Sequence, residues 1–125
     1  MIPSTDELLH RHRERIESAL AYAGGSHTFD DVRDAVHAGT MQFWPGRSSV
    51  MITQVSAQPR TKALLFFLAA GNQQELEAME PVVCEWGKAQ GCRHAEFLGR
   101  RGWKRSFLPR RGWHDTRLVF MAKAL

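Results

Sequence analysis

A cluster of cationic and aromatic side chains is the part of this sequence best suited to binding chemistry. The stretch GRRGWKRSFLPRRGW runs from Gly99 to Trp113, and between Arg93 and Arg117 eight Arg and Lys face only two acids. This region therefore carries +6 in a chain of net charge +4, which leaves −2 for the rest. Such a concentration of cations predicts a surface for phosphates or for an acidic partner. We call it the basic patch, and its members are Arg100, Arg101, Trp103, Lys104, Arg105, Arg110 and Arg111.

The tetrapeptide Arg-Arg-Gly-Trp occurs twice within the basic patch, at 100–103 and at 110–113. The first copy is predicted to begin a short helix, on which Arg101, Lys104 and Arg105 share a face by i, i+3 and i+4 spacing. The second copy is predicted to form a turn at Gly112, so the repetition is interpreted as coincidence. The residues leave three interpretations open: a solvated basic face, a docking surface for an acidic protein, or weak nucleic-acid binding without sequence preference.

The spacing of the histidines and cysteines does not favour a metal site, and the sequence does not favour a known catalytic site. The histidines are scattered, and none has a second histidine four residues away, as a helical metal site would require. Cys84 and Cys92 with His94 would supply only three ligands at unrelated spacing, so two free buried thiols in a reducing cytoplasm are expected instead. Walker loops, nucleophile elbows and paired-carboxylate motifs do not occur in the sequence.

The elements that position these residues are predicted in the order α-α-β-β-β-α-β-α-β, as a single α/β domain of 125 residues. Ser4 and Thr28 are expected to cap the first two helices. The third helix carries an apolar stripe interrupted by Pro81, which predicts either a kink or a start near Glu80. Strands are predicted over 40–44, 49–55, 62–70, 92–98 and 116–123, and a short helix over 100–108. The strands at 62–70 and 92–98 flank a helix, so we expect a mixed, mostly antiparallel sheet with one parallel βαβ unit flanked by helices.

This order of elements resembles the GNAT acyltransferase superfamily without its first strand. The likeness is best in the last third, where AQGCRHAEF precedes a short helix and RRGWHDTRLVFMAKAL, with Gly112-Trp113 in place of the usual Gly-Phe. The segments GTMQFWPGRSSVMITQV, PRTKALLFFLAAGN and GCRHAEFLGRRGWKR are also similar to a family of small proteins of tailed bacteriophages and prophages. Members of that family are often encoded among virion-assembly genes.

The GNAT resemblance implies a glycine-rich loop whose backbone N–H groups hold the pyrophosphate of CoA at a helix N-terminus. The corresponding stretch reads AAGNQQELEAM, so Gly71 and Asn72 are the residues that would contact the cofactor. No Arg or Lys stands between Lys62 and Lys88, and the acids that follow the loop place negative charge where the pyrophosphate would lie. These acids are Glu75, Glu77 and Glu80.

The superfamily also uses a tyrosine on the short helix as the acid that protonates the leaving thiolate. The only tyrosine here is Tyr22, in the first predicted helix, far from that position in the sequence. Ser106 is the only hydroxyl within the short helix, and an unactivated serine is a poor acid. Together with the acidic loop, this absence predicts a protein with no catalytic residues.

We therefore expect a non-catalytic bacteriophage protein, virion-associated or active in assembly, that contacts other phage structural proteins and binds no cofactor or metal. Its expected place is the virion and, before assembly, the cytoplasm of the bacterial host. No secretory signal or membrane partner is expected, because the N-terminus is polar and the longest apolar run, Ala63 to Ala70, is short. Two alternatives remain: an acyl-CoA-dependent N-acyltransferase that uses acetyl-CoA through an atypical loop, and a weak nucleic-acid-binding accessory protein.

Overall fold

A four-stranded mixed sheet in the order β1-β2-β3-β4 organises the chain, which the computed structural model describes over residues 2–125. Neighbours β1–β2 and β2–β3 are antiparallel, and β3–β4 are parallel, which confirms the predicted βαβ unit and the predicted mixed α/β fold. The strands are β1 (Gln42–Pro45), β2 (Val50–Gln58), β3 (Thr61–Ala70) and β4 (His94–Phe97). The helices are α1 (Thr5–Arg11), α2 (Arg13–Leu20), α3 (Phe29–Ala38) and α4 (Gln73–Ala89), followed by 3₁₀ helices over Arg101–Arg105 and Leu108–Arg111.

The sheet separates two apolar layers. Helices α1, α2 and α3 cover one face, where Leu9, Ile16 and Val32 pack with Ile52 and Leu68. Helix α4 and the 3₁₀ helices cover the other face, and their buried members are Leu76, Val83, Phe107 and Leu108, packed against Met51, Leu64 and Phe66. The C-terminal third is therefore held to the same side of the sheet as α4.

Local sequence signals determine the helix ends. The Ser4 hydroxyl accepts from the N–H of Glu7, and Thr28 forms a reciprocal capping box with Asp31, so both predicted caps are confirmed. The first predicted helix is interrupted at His12, which separates α1 from α2. The ring of His12 is 1% exposed, and its Nε2 lies 3.1 Å from the carbonyl oxygen of Gly46 in the β1–β2 turn. The contact between His12 and Gly46 therefore lies at the break between α1 and α2, a break that the apolar periodicity did not predict.

Helix α4 runs without interruption from Gln73 to Ala89 and includes Pro81. A start near Glu80 is therefore excluded, and proline is accommodated at the loss of one helical hydrogen bond. The predicted stripe is confirmed, since Leu76 and Val83 are fully buried against the sheet.

Two predicted elements of the last third are wrong. The α-helix expected over 100–108 is replaced by the two 3₁₀ helices, because Pro109 cannot continue a helical hydrogen-bond ladder and Gly102 weakens the first turn. The strand expected over 116–123 forms no pair with the sheet, and Leu118 and Phe120 are 83% and 86% exposed. Within residues 2–125, no helix has both the length and the apolar character needed to cross a membrane.

Candidate functional site

The site begins where strands β3 and β4 part. Their last registered pair is Phe66 with Phe97, and the N–H of Leu98 still donates to the carbonyl of Phe66 at 3.3 Å. Strand β3 then continues to Ala70 without β4 beside it. A bulge marks the same point, since the β2–β3 register passes from Leu68 to Phe66 and leaves Phe67 without a partner. We call this place the strand opening.

Tyr22 reaches the strand opening from the end of α2. The guanidinium of Arg100 lies over the Tyr22 ring, 4.2 Å from its centroid, and Arg100 follows Leu98 by two residues. The Tyr22 side chain is otherwise open to solvent, at 66% exposed. Tyr22 is far from the short helix in the sequence, and the fold brings it to Arg100 as a cation–π partner.

His27 is the second titratable group at the strand opening. Its ring packs against the bulged Phe67 with centroids 4.8 Å apart and planes tilted by 59°, and its Nδ1 lies 2.7 Å from the Ser26 hydroxyl. An open groove of about 490 Å³ begins at this histidine. The residues lining the groove are Ser26, His27, Asp31, Ala35, Thr40, Met41 and Gln54.

The residues expected to contact CoA, Gly71 and Asn72, have structural roles at the start of α4. Gly71 has φ 129°, and a Cβ there would lie 2.5 Å from the carbonyl oxygen of Ser48 and from atoms of Ser49. The Asn72 side chain caps the helix by accepting from the N–H of Glu75. The first-turn N–H groups of Gln73 and Gln74 have no helical acceptors and supply the positive end of the helix dipole.

Glu75 is held by hydrogen bonds from the β1–β2 turn. Its carboxylate accepts from the N–H groups of Arg47 at 2.8 Å and Ser48 at 2.9 Å. Hydrogen bonds from the Ser49 side chain and from these two amides hold the pKa of Glu75 below its usual range. The Glu75 carboxylate therefore joins the first turn of α4 to the β1–β2 turn.

Glu77 is neutralised by the basic patch. Arg110 donates from Nη2 to Oε1 of Glu77 at 3.0 Å, and Arg111 donates from Nε to Oε2 at 3.2 Å. Two guanidinium groups thus lie beside the first turns of α4, where the sequence showed no cation. Of the three acids that follow the loop, Glu77 is therefore paired with arginines, whereas none of the described ion pairs includes Glu75 or Glu80.

The rest of the basic patch is divided among different contacts. Lys104 pairs with Asp115 at 3.1 Å, while Arg100 lies on Tyr22. A 3₁₀ helix repeats every three residues, so Arg101 and Lys104 share a face and Arg105 does not, contrary to the α-helical spacing assumed for the sequence. Among the described ion pairs none involves Arg101 or Arg105, and both side chains are exposed.

The two Arg-Arg-Gly-Trp copies have related roles. Trp103 packs on Phe97 with ring centroids 4.9 Å apart, and Trp113 packs on the same ring at 6.1 Å. Trp113 also meets Phe66 edge-on at 5.4 Å. Both tryptophans therefore pack at the end of β4 beside the strand opening, although the first copy lies in a 3₁₀ helix and the second in the turn predicted at Gly112.

The cysteines lie apart from this site. The Cys84 thiol donates to Oε1 of Glu80 at 3.0 Å, and burial, with that carboxylate beside it, raises the pKa of Cys84 to about 12. Such a thiol is not nucleophilic near neutral pH. Across residues 2–125, no group of three His, Cys, Asp or Glu side chains is arranged to hold a metal ion.

Solved structures share this arrangement of elements. A protein described as a probable acetyltransferase superimposes with a TM-score of 0.71 at 4% identity, over 98% of this chain and 95% of its own. An acetyltransferase of Trypanosoma brucei gives 0.65 at 9% identity, over 91% and 94% of the two chains. The aminoglycoside N-acetyltransferase AAC(6')-Iy, solved with CoA, gives 0.61 at 12% identity, over 93% and 91%. The chain has a GNAT-like fold.

At identities this low the likeness establishes the GNAT-like fold alone. No protein-family model matches the sequence, and no curated protein matches it either. Within this fold, the contact of Tyr22 with Arg100 and that of Glu77 with the two arginines were missed from the sequence. Their partners lie on different elements, and no spacing pattern connects them.

Proposed function

We propose that the chain is an N-acyltransferase that uses a CoA thioester, with its reaction centre at the strand opening. The observation that carries the proposal is the placement of Tyr22 on Arg100, beside the point where β3 and β4 part. A hydroxyl there would be the proton donor for the leaving thiolate. The acetyltransferases that share the fold support the same reaction class.

The residues beside α4 fit an anionic cofactor better than the sequence indicated. Acyl-CoA would supply the thioester and a pyrophosphate. The unpaired N–H groups of the first turn of α4, with Arg110 and Arg111, are the groups that would hold the phosphates. Glu77 already draws both arginines to this place, and phosphate would compete with its carboxylate for them.

Two residues, His27 and Tyr22, would carry out the two proton transfers of amide formation. An amine forms a C–N bond with the thioester carbonyl carbon while the C–S bond breaks, so the amine loses a proton and the thiolate gains one. The imidazole of His27, at the mouth of the groove, would accept the first proton, and Tyr22 would donate the second. The groove beside His27 would hold the amine.

Binding of acetyl-CoA measured by calorimetry tests this function. We expect a dissociation constant in the micromolar range, weakened about tenfold or more by Arg110→Glu with Arg111→Glu. The matched control is Arg101→Glu with Arg105→Glu, which changes net charge equally but lies away from Glu77, and it should bind nearly as the parent. Absence of binding by the parent protein would overturn the proposal.

A second candidate is a non-catalytic component of a bacteriophage particle. The exposed Arg101 and Arg105, which lack acidic partners among the described ion pairs, favour a docking role for this part of the basic patch. In this case purified particles contain the chain, and Arg101→Glu with Arg105→Glu lowers its incorporation while the protein stays folded. Particles that lack the chain and assemble normally without it would exclude this role.

Nucleic-acid binding through the basic patch stays a weaker prediction of the sequence. Two of its arginines are committed to Glu77 and one lysine to Asp115. We expect at most salt-sensitive binding without sequence preference. A gel shift that shows tight and selective binding at physiological salt would contradict this.

A further inference from the structure

One carboxylate, that of Glu77, binds two arginines of the basic patch at the same time. Its Oε1 accepts from Nη2 of Arg110 at 3.0 Å, and its Oε2 accepts from Nε of Arg111 at 3.2 Å. The Glu77 side chain is 24% exposed, whereas those of Arg110 and Arg111 are 68% and 45% exposed. The carboxylate is therefore the more enclosed partner, and both guanidinium groups remain accessible to an anion from solvent.

The two arginines are presented by a well-anchored part of the chain. They lie in the second 3₁₀ helix, where Leu108 and the preceding Phe107 are buried against the sheet. Trp113, which follows this helix, packs against the aromatic rings at the end of β4. The backbone of the arginines is therefore fixed beside α4, and a change of partner requires only the rotation of exposed side chains.

The turn of α4 that carries Glu77 is less constrained. Pro81 lies four residues later and has no N–H, so the backbone carbonyl of Glu77 lacks its helical donor. Gln73, in the first turn of α4, shares a helix face with Glu77 by i, i+4 spacing. The Glu77 carboxylate is thus one turn from the open N–H groups of α4 and in contact with both arginines, where the proposed function puts the phosphates of the cofactor.

We propose that Glu77 is autoinhibitory: its carboxylate occupies Arg110 and Arg111 in the free protein, and a polyphosphate ligand binds by displacing it. This inference rests on the proposed function, since the phosphates of acyl-CoA are the displacing anion. The donors that Glu77 engages, Nη2 of Arg110 and Nε of Arg111, are those that two oxygens of a phosphate would engage. A pyrophosphate has more charge and more acceptor oxygens than one carboxylate, so it displaces Glu77 at a cost in affinity.

An autoinhibitory role and an anchoring role predict opposite effects of removing the carboxylate. If Glu77 served to position the arginines for phosphate, its loss would let them separate and would weaken binding. If Glu77 competes with phosphate, its loss leaves two guanidinium groups without an acid and strengthens binding. The buried neighbours of the arginines already position their backbone, and pairs this exposed contribute little to stability, so we expect the second effect.

Calorimetry of acetyl-CoA binding to the full chain tests the proposal. We expect Glu77→Gln to lower the dissociation constant about five- to tenfold, with an unchanged circular dichroism spectrum. Glu77→Asp, whose side chain is one methylene shorter, should strengthen binding by less. The matched control is Glu85→Gln, which removes the same charge from an exposed position two turns further along α4 and should bind as the parent does.

A second comparison shows whether the gain acts through the arginines. In a protein that already carries Arg110→Gln and Arg111→Gln, the further change Glu77→Gln should add no affinity for acetyl-CoA. A gain that persists in that protein, or an equal gain in Glu85→Gln, would reduce the effect to net charge and overturn the proposal.

The outcomes separate this inference from the proposed function. Binding by the parent that is unchanged or weaker in Glu77→Gln would overturn the inference and leave the proposed function standing. Binding by Glu77→Gln alone would support the inference, while the parent would fail to bind the cofactor as the proposed function requires. Absence of binding by both proteins would overturn the inference and the function together.

Discussion

The guanidinium of Arg100 covers the ring of Tyr22 at 4.2 Å and joins the end of α2 to the exit of β4. No recognisable sequence motif connects these two residues. Their contact brings the protein's only tyrosine to Arg100, which follows the end of β4 by three residues. The sequence predicted no catalytic residues, and the role of Tyr22 as an acid is part of the proposed function.

Replacing Tyr22 by Phe should lower the turnover of acyl transfer from acetyl-CoA to an amine about a hundredfold, since it removes the proton donor. The phenyl ring still stacks under Arg100, so the fold and the affinity for acetyl-CoA should change little. The rate of thiol release measures the effect. Turnover equal to that of the parent would show that another group protonates the thiolate.

Gly71→Ala should destabilise the protein by roughly 2 to 4 kcal/mol, because a Cβ would collide with the backbone of Ser48 and Ser49 at a positive φ. Gly102→Ala is the matched control, since nothing lies within 4 Å of its Cβ position. Urea unfolding of both variants gives the comparison. Equal stabilities would mean that the turn moves away without cost.

His12 should make stability fall as pH decreases below about 6.5. Burial of the ring, together with the charge of Arg15, lowers the pKa of His12 in the folded protein, so only the unfolded chain binds the proton readily. The free energy of unfolding should therefore be independent of this group above pH 7. It should decline by up to about 1.4 kcal/mol per pH unit below the unfolded pKa, until the folded pKa is reached.

Unfolding of His12→Gln between pH 5 and pH 8 checks this pH dependence. The amide of Gln can still donate to the Gly46 carbonyl but does not titrate, so the slope between pH 5 and 6.5 should become shallower. The exposed His114, replaced by Gln, serves as control and should retain the slope of the parent. Identical slopes in His12→Gln and the parent would contradict the assignment.

Trp113→Ala should cost about 3 kcal/mol of stability, because its ring fills the space between Phe66 and Phe97. Arg101→Glu, at an exposed position without a described ion pair, should change the free energy of unfolding by less than about 0.5 kcal/mol. Thermal and urea unfolding measure both. A small effect of Trp113→Ala would identify the tryptophan as a surface residue available for docking.

The sequence by itself determined the features that depend on neighbouring residues. The Ser4 and Thr28 caps and the apolar stripe of α4 follow from hydrogen bonds and periodicities within a few positions. The parallel pairing of β3 with β4 follows from the helix between them, because a crossover of that length returns the chain in the same direction. These features were enough to predict the mixed α/β sheet and its likeness to the GNAT fold.

Only the tertiary structure decided where charges and side chains from distant segments meet. Glu77 appeared to oppose a phosphate until the fold brought Arg110 and Arg111 to it. The run from Leu118 to Met121 is typical of a strand, yet such a run cannot specify which sheet edge accepts it, and among the described residues it pairs with no strand. Pairing of this kind depends on the three-dimensional path of the whole chain, which local propensity does not encode.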